Sequence, residues 1–151
     1  MERVTKAEHK IVFMIAIYLF VLFYPMLISI YVFLPLFIGA MSYTLLRGLE
    51  KGKTTSLLLA IVYLINLEVN LSLPLFLTII SSFIFYVTLY PSLKHFRHCK
   101  VCRPLLSVFL LDIFYLGALF FFDFIFQTQS VFLDSILLYS LVVDMLIVVL
   151  L

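Results

Sequence analysis

Asn66-Leu67-Glu68-Val69-Asn70-Leu71-Ser72-Leu73-Pro74 lies near the middle of a very apolar chain. Every second residue from Asn66 to Ser72 is polar and the series ends at proline, so it reads as a turn near a membrane surface. It separates two apolar runs, Thr54 to Ile65 and Leu75 to Leu93, and Glu68 is the only charge between Lys53 and Lys94. A lone carboxylate in hydrocarbon costs about 3 kcal/mol, so Glu68 must sit at the interface, find a partner or perform a function.

The rest of the chain follows from that reading. Of 151 residues, 66% are hydrophobic and only 12% charged, and the uncharged runs exceed the roughly 20 residues that cross a bilayer. This composition excludes a soluble globular domain. The first apolar run, Ile11 to Leu46, is too long for a cleavable leader and carries no small-x-small cleavage pattern, so its first helix is expected to be retained. The polar segments are too short for a folded extramembrane domain, and any enzyme built this way would have to work within the bilayer.

Six helices are expected, at about 11–24, 28–46, 54–70, 73–90, 105–126 and 135–151, forming a single integral membrane domain over 1–151. Tyr24-Pro25 is read as the first turn, with Tyr24 and Tyr31 as interfacial aromatics and Pro35 as a kink inside the second span. One long tilted helix is the alternative for that run. The glycine-containing loop Arg47 to Lys53 and the loop Lys94 to Arg103 follow, the second closed by Pro104. All ten Lys and Arg residues fall in these two loops and the Met1 to Lys10 tail, which six spans put on one side. The positive-inside rule then places both termini in the cytoplasm of a bacterial inner membrane protein. The expected fold class is an all-α, polytopic helical bundle.

Candidate chemistry is sparse. His95, His98, Cys99 and Cys102 form an H-x-x-H-C-x-x-C pattern with four possible ligands for zinc or another soft metal. On one helix face such ligands cannot all wrap a tetrahedral ion, and the alternative is a basic cytoplasmic loop with two reduced thiols. Among four aspartates in the last third, Asp112 and Asp144 are read at similar depth in spans five and six, where they could meet and share a proton. They suggest a proton or cation relay, against a structural role in hydrogen-bonding helices together. Asp123 and Asp134 are expected near the outer surface, in water. Thr78, Ser81, Ser82 and Thr88 are small polar residues suited to close helix approach. No Walker-type loop, G-x-S-x-G or H-E-x-x-H motif is present, and the basic loops are too short and membrane-bound for nucleic-acid recognition. Anionic lipid headgroups are their expected counterions. No cofactor is expected.

The stretch Leu57-Leu-Leu-Ala-Ile-Val-Tyr-Leu-Ile-Asn-Leu-Glu68, followed by Pro74-Leu75, resembles the rod-shape-determining MreD family over roughly residues 57–97. In that family an apolar helix ends in an acidic residue, and a short polar turn leads to Pro-Leu-Gly and another apolar helix. The resemblance implies a non-enzymatic inner-membrane component of a bacterial cell-shape or envelope-growth complex, with MreC-like proteins and peptidoglycan synthases as partners. Asn66, Glu68, Asn70 and Pro74 are then candidate contact residues, with Glu68 facing outward and needing no buried partner. A small transporter or substrate-binding component using Asp112, Asp144 and Glu68 is the alternative.

Overall fold

Proline decides where the first apolar run breaks, but at Pro35 rather than Pro25. In the computed structural model, which describes residues 2–31, 33–93, 101–128 and 135–150, with side chains from residue 11 and, in the last helix, from 138, helix α1 (Glu2–Ile30) runs straight through Pro25. The turn expected at Tyr24-Pro25 is therefore corrected to residues 31–37. Pro25 costs its own helix one bond, because it has no N–H for the Val21 carbonyl. One residue further, Asn66 donates its side-chain amide to the Leu22 carbonyl at 2.7 Å, supplying a polar contact where the ladder is interrupted. Pro35, by contrast, disfavours helical backbone at Leu34, and partners from three other helices hold the break open. Tyr24, read as interfacial, is buried, and its hydroxyl donates to the Pro35 carbonyl at 3.1 Å.

Helix α2 (Ile38–Lys51) ends at Gly52, whose positive φ of 63° lets its N–H turn back to the Gly48 and Leu49 carbonyls. Helix α3 (Thr54–Asn70) continues through Asn66, Glu68 and Asn70, so the polar alternation is helical and the turn itself is 71–76. Then come α4 (Leu77–Thr88), the single turn α5 (Tyr90–Leu93), α6 (Cys102–Phe126) and α7 (Ser135–Leu150). The described residues contain no strand.

The short helix α2 is the hub, touching α3, α4, α6 and α7, while α1 lies on α3 and α6 packs on α4 and α7. Tyr63, Leu64, Leu67, Phe85 and Leu111 are among the residues of the main core. The surface inverts the usual distribution: Phe13, Phe33, Val87, Phe124 and Leu138 are exposed, while Glu68, Thr78, Ser82, Ser107, Asp112 and Asp144 are buried. Two stretches, Ile11–Ile30 and Cys102–Phe126, are long and apolar enough to cross a membrane, and α3, α4 and α7 are shorter apolar helices.

One polar cluster ties the ends of three helices. The Tyr90 hydroxyl donates to Glu50 at 2.7 Å, and Arg103 donates to the Tyr90 oxygen at 2.9 Å and to Glu50 at 3.4 Å. The guanidinium lies 5.3 Å from the centre of the Tyr90 ring. Glu50 lies in the last turn of α2 and Arg103 in the first turn of α6, so those two helix ends share one face of the bundle.

Candidate functional site

The same four residues, Leu-Pro-Leu-Phe, occur at 34–37 and at 73–76. In both copies the phenylalanine takes left-handed backbone, φ 51° at Phe37 and 65° at Phe76, and serves as the residue before a helix. Such backbone costs a non-glycine residue on the order of 1 kcal/mol. It turns the following N–H groups inward, and neither phenylalanine can cap them with its own side chain. Carboxylates from other helices do so instead.

Glu68 caps α4. It is fully buried; Oε2 accepts the Phe76 N–H, and Oε1 accepts both the Thr78 N–H, each at 2.7 Å, and the Thr78 hydroxyl at 2.6 Å. These are short charge-assisted bonds to a helix N-terminus, an arrangement that compensates a buried carboxylate. The outward-facing, partnerless Glu68 expected from the sequence is thereby corrected. A period of two on a helix turns successive polar residues about 200° apart, which sends Glu68 away from Asn66 and Asn70. Asn66 reaches α1, and Asn70 donates to the Asn66 backbone and side-chain oxygens, both at 2.7 Å. Pro74 shapes the turn, its carbonyl accepting the Leu77 N–H at 3.3 Å.

Helix α7 caps α2. Asp144 Oδ2 accepts the Gly39 N–H and Ser140 Oγ accepts the Leu36 N–H, each at 2.9 Å. Tyr63 donates its hydroxyl to the Leu36 carbonyl at 2.9 Å, completing a set in which α1, α3 and α7 satisfy the broken backbone. Asp112 of α6 lies against the same helix start: a Cβ at Gly39 would come within 2.5 Å of both its carboxyl oxygens. A side chain at 39 would force the Asp112 carboxyl to move. The structure thus brings Asp112 and Asp144 together around one helix start. Asp112 Oδ2 and Asp144 Oδ1 have no hydrogen-bond partner among the described residues. A cavity of about 20 Å3, bounded by Asp112, Tyr115 and Ser140, adjoins Asp112; it has space for one water. The Tyr115 hydroxyl, about one turn along α6, lacks a hydrogen-bond partner among the described residues and lies near Thr78 and Glu68.

The other expectations fare differently. Ser81 and Ser82 both donate to the Thr78 carbonyl, and Thr88 to that of Ile84, so these hydroxyls bond their own helix rather than a neighbour. Asp123 is half-buried, and its Oδ1 accepts the Thr128 hydroxyl at 2.9 Å; Asp134 lies outside the described residues. So do His95, His98 and Cys99, while Cys102, read as a reduced thiol, is disulfide-bonded. Among the described residues no three His, Cys, Asp or Glu side chains cluster as metal ligands. The residues missed by sequence reading are Ser140, Gly39, Tyr63 and the two phenylalanines. The repeated tetrapeptide was the available signal. No family model matches the chain, and neither does any curated protein or solved structure.

Proposed function

We propose that the chain is a multi-pass bacterial inner-membrane protein, both termini cytoplasmic, acting without catalysis as an assembly component of a cell-shape or envelope-growth complex. Its exposed apolar surface and buried polar groups support a lipid environment. Six crossings are compatible with short α2 and α4 because each is preceded by a non-helical connection, 33–37 and 71–76, that adds to its length. Irregular backbone at membrane depth is tolerated where protein encloses it, and the hydrogen bonds at Pro35, Leu36 and Gly39 fit that condition.

The observation that carries the assembly reading is that Glu68 is fully engaged in fixing the start of α4. Such caps make a pre-formed body able to present surfaces to partners such as an MreC-like protein and peptidoglycan synthases, in line with the family resemblance. Depletion in the encoding bacterium should round rod-shaped cells, and the tagged chain should co-purify with the MreC-like protein. Normal rods on full depletion would reject the reading. A second reading, a proton or cation relay through Asp112 and Asp144, draws on their unpartnered oxygens and on the small cavity at Asp112. It predicts cation-dependent or proton flux in proteoliposomes that Asp112→Asn abolishes.

A further inference from the structure

Arg47, Lys51 and Lys53 surround a cleft of about 280 Å3 where α2 meets α3, with Ser56 and Tyr43 also on its wall. None of the three cations has an acidic partner among the described residues; Glu50, the nearest acid in sequence, is engaged by Tyr90 and Arg103. Clustered exposed cations attract a phosphate-bearing group.

A second cleft, of about 250 Å3 and almost wholly apolar, adjoins the first at Thr44, which lines both. Phe37, Ala40, Met41 and Thr44 line it from α2, Leu59 and Tyr63 from α3, and side chains of α1 and α7 complete its wall. On α2 the lining continues at helical spacing through Arg47, Gly48 and Lys51; on α3, Lys53 and Ser56 lead to Leu59 and Tyr63. One groove therefore runs along the α2/α3 hairpin, cationic at its loop end and apolar further in. From Lys51 to Phe37 it extends about 21 Å at 1.5 Å per residue. One leaflet contributes about 15 Å of hydrocarbon. Helix α1 leaves the near end uncovered, since Ile11 to Ile17 are all exposed.

We propose that this groove binds one anionic glycerophospholipid of the cytoplasmic leaflet, its phosphate between Arg47, Lys51 and Lys53 and one acyl chain along the apolar part. The charge calls for an anion, and the continuous apolar extension selects a lipid over a free phosphate compound. The inference rests on the membrane-embedded, loop-inward reading above but not on the assembly role.

The test uses the full chain, first shown to remain in membranes after carbonate washing, then extracted in mild detergent. It is offered phosphatidylglycerol and phosphatidylcholine carrying the same palmitoyl and oleoyl chains, and retained lipid is counted by native mass spectrometry. Phosphatidylglycerol should be preferred, and Arg47→Gln/Lys51→Gln/Lys53→Gln should weaken its retention on the order of a hundredfold, from about fivefold per cation. Lys94→Gln/Arg97→Gln/Lys100→Gln should leave the preference intact, and Thr44→Phe should reduce retention at unchanged helical content. Excess glycerol 3-phosphate should not displace the lipid. Equal retention of the two lipids, equal losses in both basic-loop variants, unchanged retention in Thr44→Phe, or displacement by glycerol 3-phosphate would each overturn the proposal. Because cell shape is not read here, failure would leave the assembly role to its own test.

Discussion

Substitution of Glu68 probes the second helix break most sharply, because one carboxylate there serves three donors within the buried α3/α4 hairpin. Glutamine preserves the shape and one accepting oxygen, which can keep the two donors of Thr78. Its amide nitrogen then faces the Phe76 N–H, so one charge-assisted bond is replaced by two opposed donors, a loss of about 2 kcal/mol. Alanine leaves all three donors unpaired at a fully buried position. At 1–3 kcal/mol each and with incomplete additivity, the expected loss is about 4 kcal/mol. Thr78→Val removes only the hydroxyl donor, for about 1 kcal/mol. The assay is reversible unfolding of the purified chain in mixed micelles of mild detergent and dodecyl sulfate, followed by far-ultraviolet circular dichroism. The required order of destabilisation is Glu68→Ala, then Glu68→Gln, then Thr78→Val. A Glu68→Ala protein within about 0.5 kcal/mol of the parent, the usual range for an inconsequential surface change, would refute the capping argument.

Three further substitutions test the first break and the loop-end cluster. Gly39→Ala should destabilise by about 1–3 kcal/mol through its clash with the Asp112 carboxyl, and Gly39→Ala/Asp112→Gly should recover most of that loss in the same unfolding assay. Tyr63→Phe should cost about 1 kcal/mol by leaving the Leu36 carbonyl without its side-chain donor, and a double-mutant cycle with Tyr24→Phe should reveal coupling at the shared Pro35-Leu36 backbone. Arg103→Gln should cost no more than about 1 kcal/mol, because the Arg103–Glu50 pair remains partly exposed; its effect should shrink as salt is raised during thermal unfolding.

Helical content was legible because apolar length is a local property of the chain; the loop expected over Arg47–Lys53 shrinks to Gly52-Lys53, because α2 continues to Lys51 before the Gly52 turn. Helix α3 occupies Thr54–Asn70, the range read from the sequence, between the Gly52 turn and the 71–76 connection. The choice between Pro25 and Pro35 was not legible. A proline's effect depends on who takes up the backbone groups it frees, and at the second break the partners are Ser140 and Asp144, 104 and 105 residues away from the groups they accept. Glu68 was misread for a related reason: its polar neighbours suggested a wet turn, while its partners became visible only once Phe76 was seen in left-handed backbone. Asp112 and Asp144 stand out in the sequence as polar groups within apolar helices. That both would meet at Gly39 required knowledge of where α2 begins.

The most direct test of the account is the side of the membrane on which successive connections lie. Alkaline phosphatase and green fluorescent protein, fused in turn after Phe33, Lys51, Ser72 and Leu150 and read in intact cells, report that side. The account predicts phosphatase activity only after Phe33 and Ser72, with fluorescence only after Lys51 and Leu150. Fluorescence after Ser72, or phosphatase activity after Lys51, would contradict the alternating path on which the membrane-embedded, carboxylate-capped bundle depends.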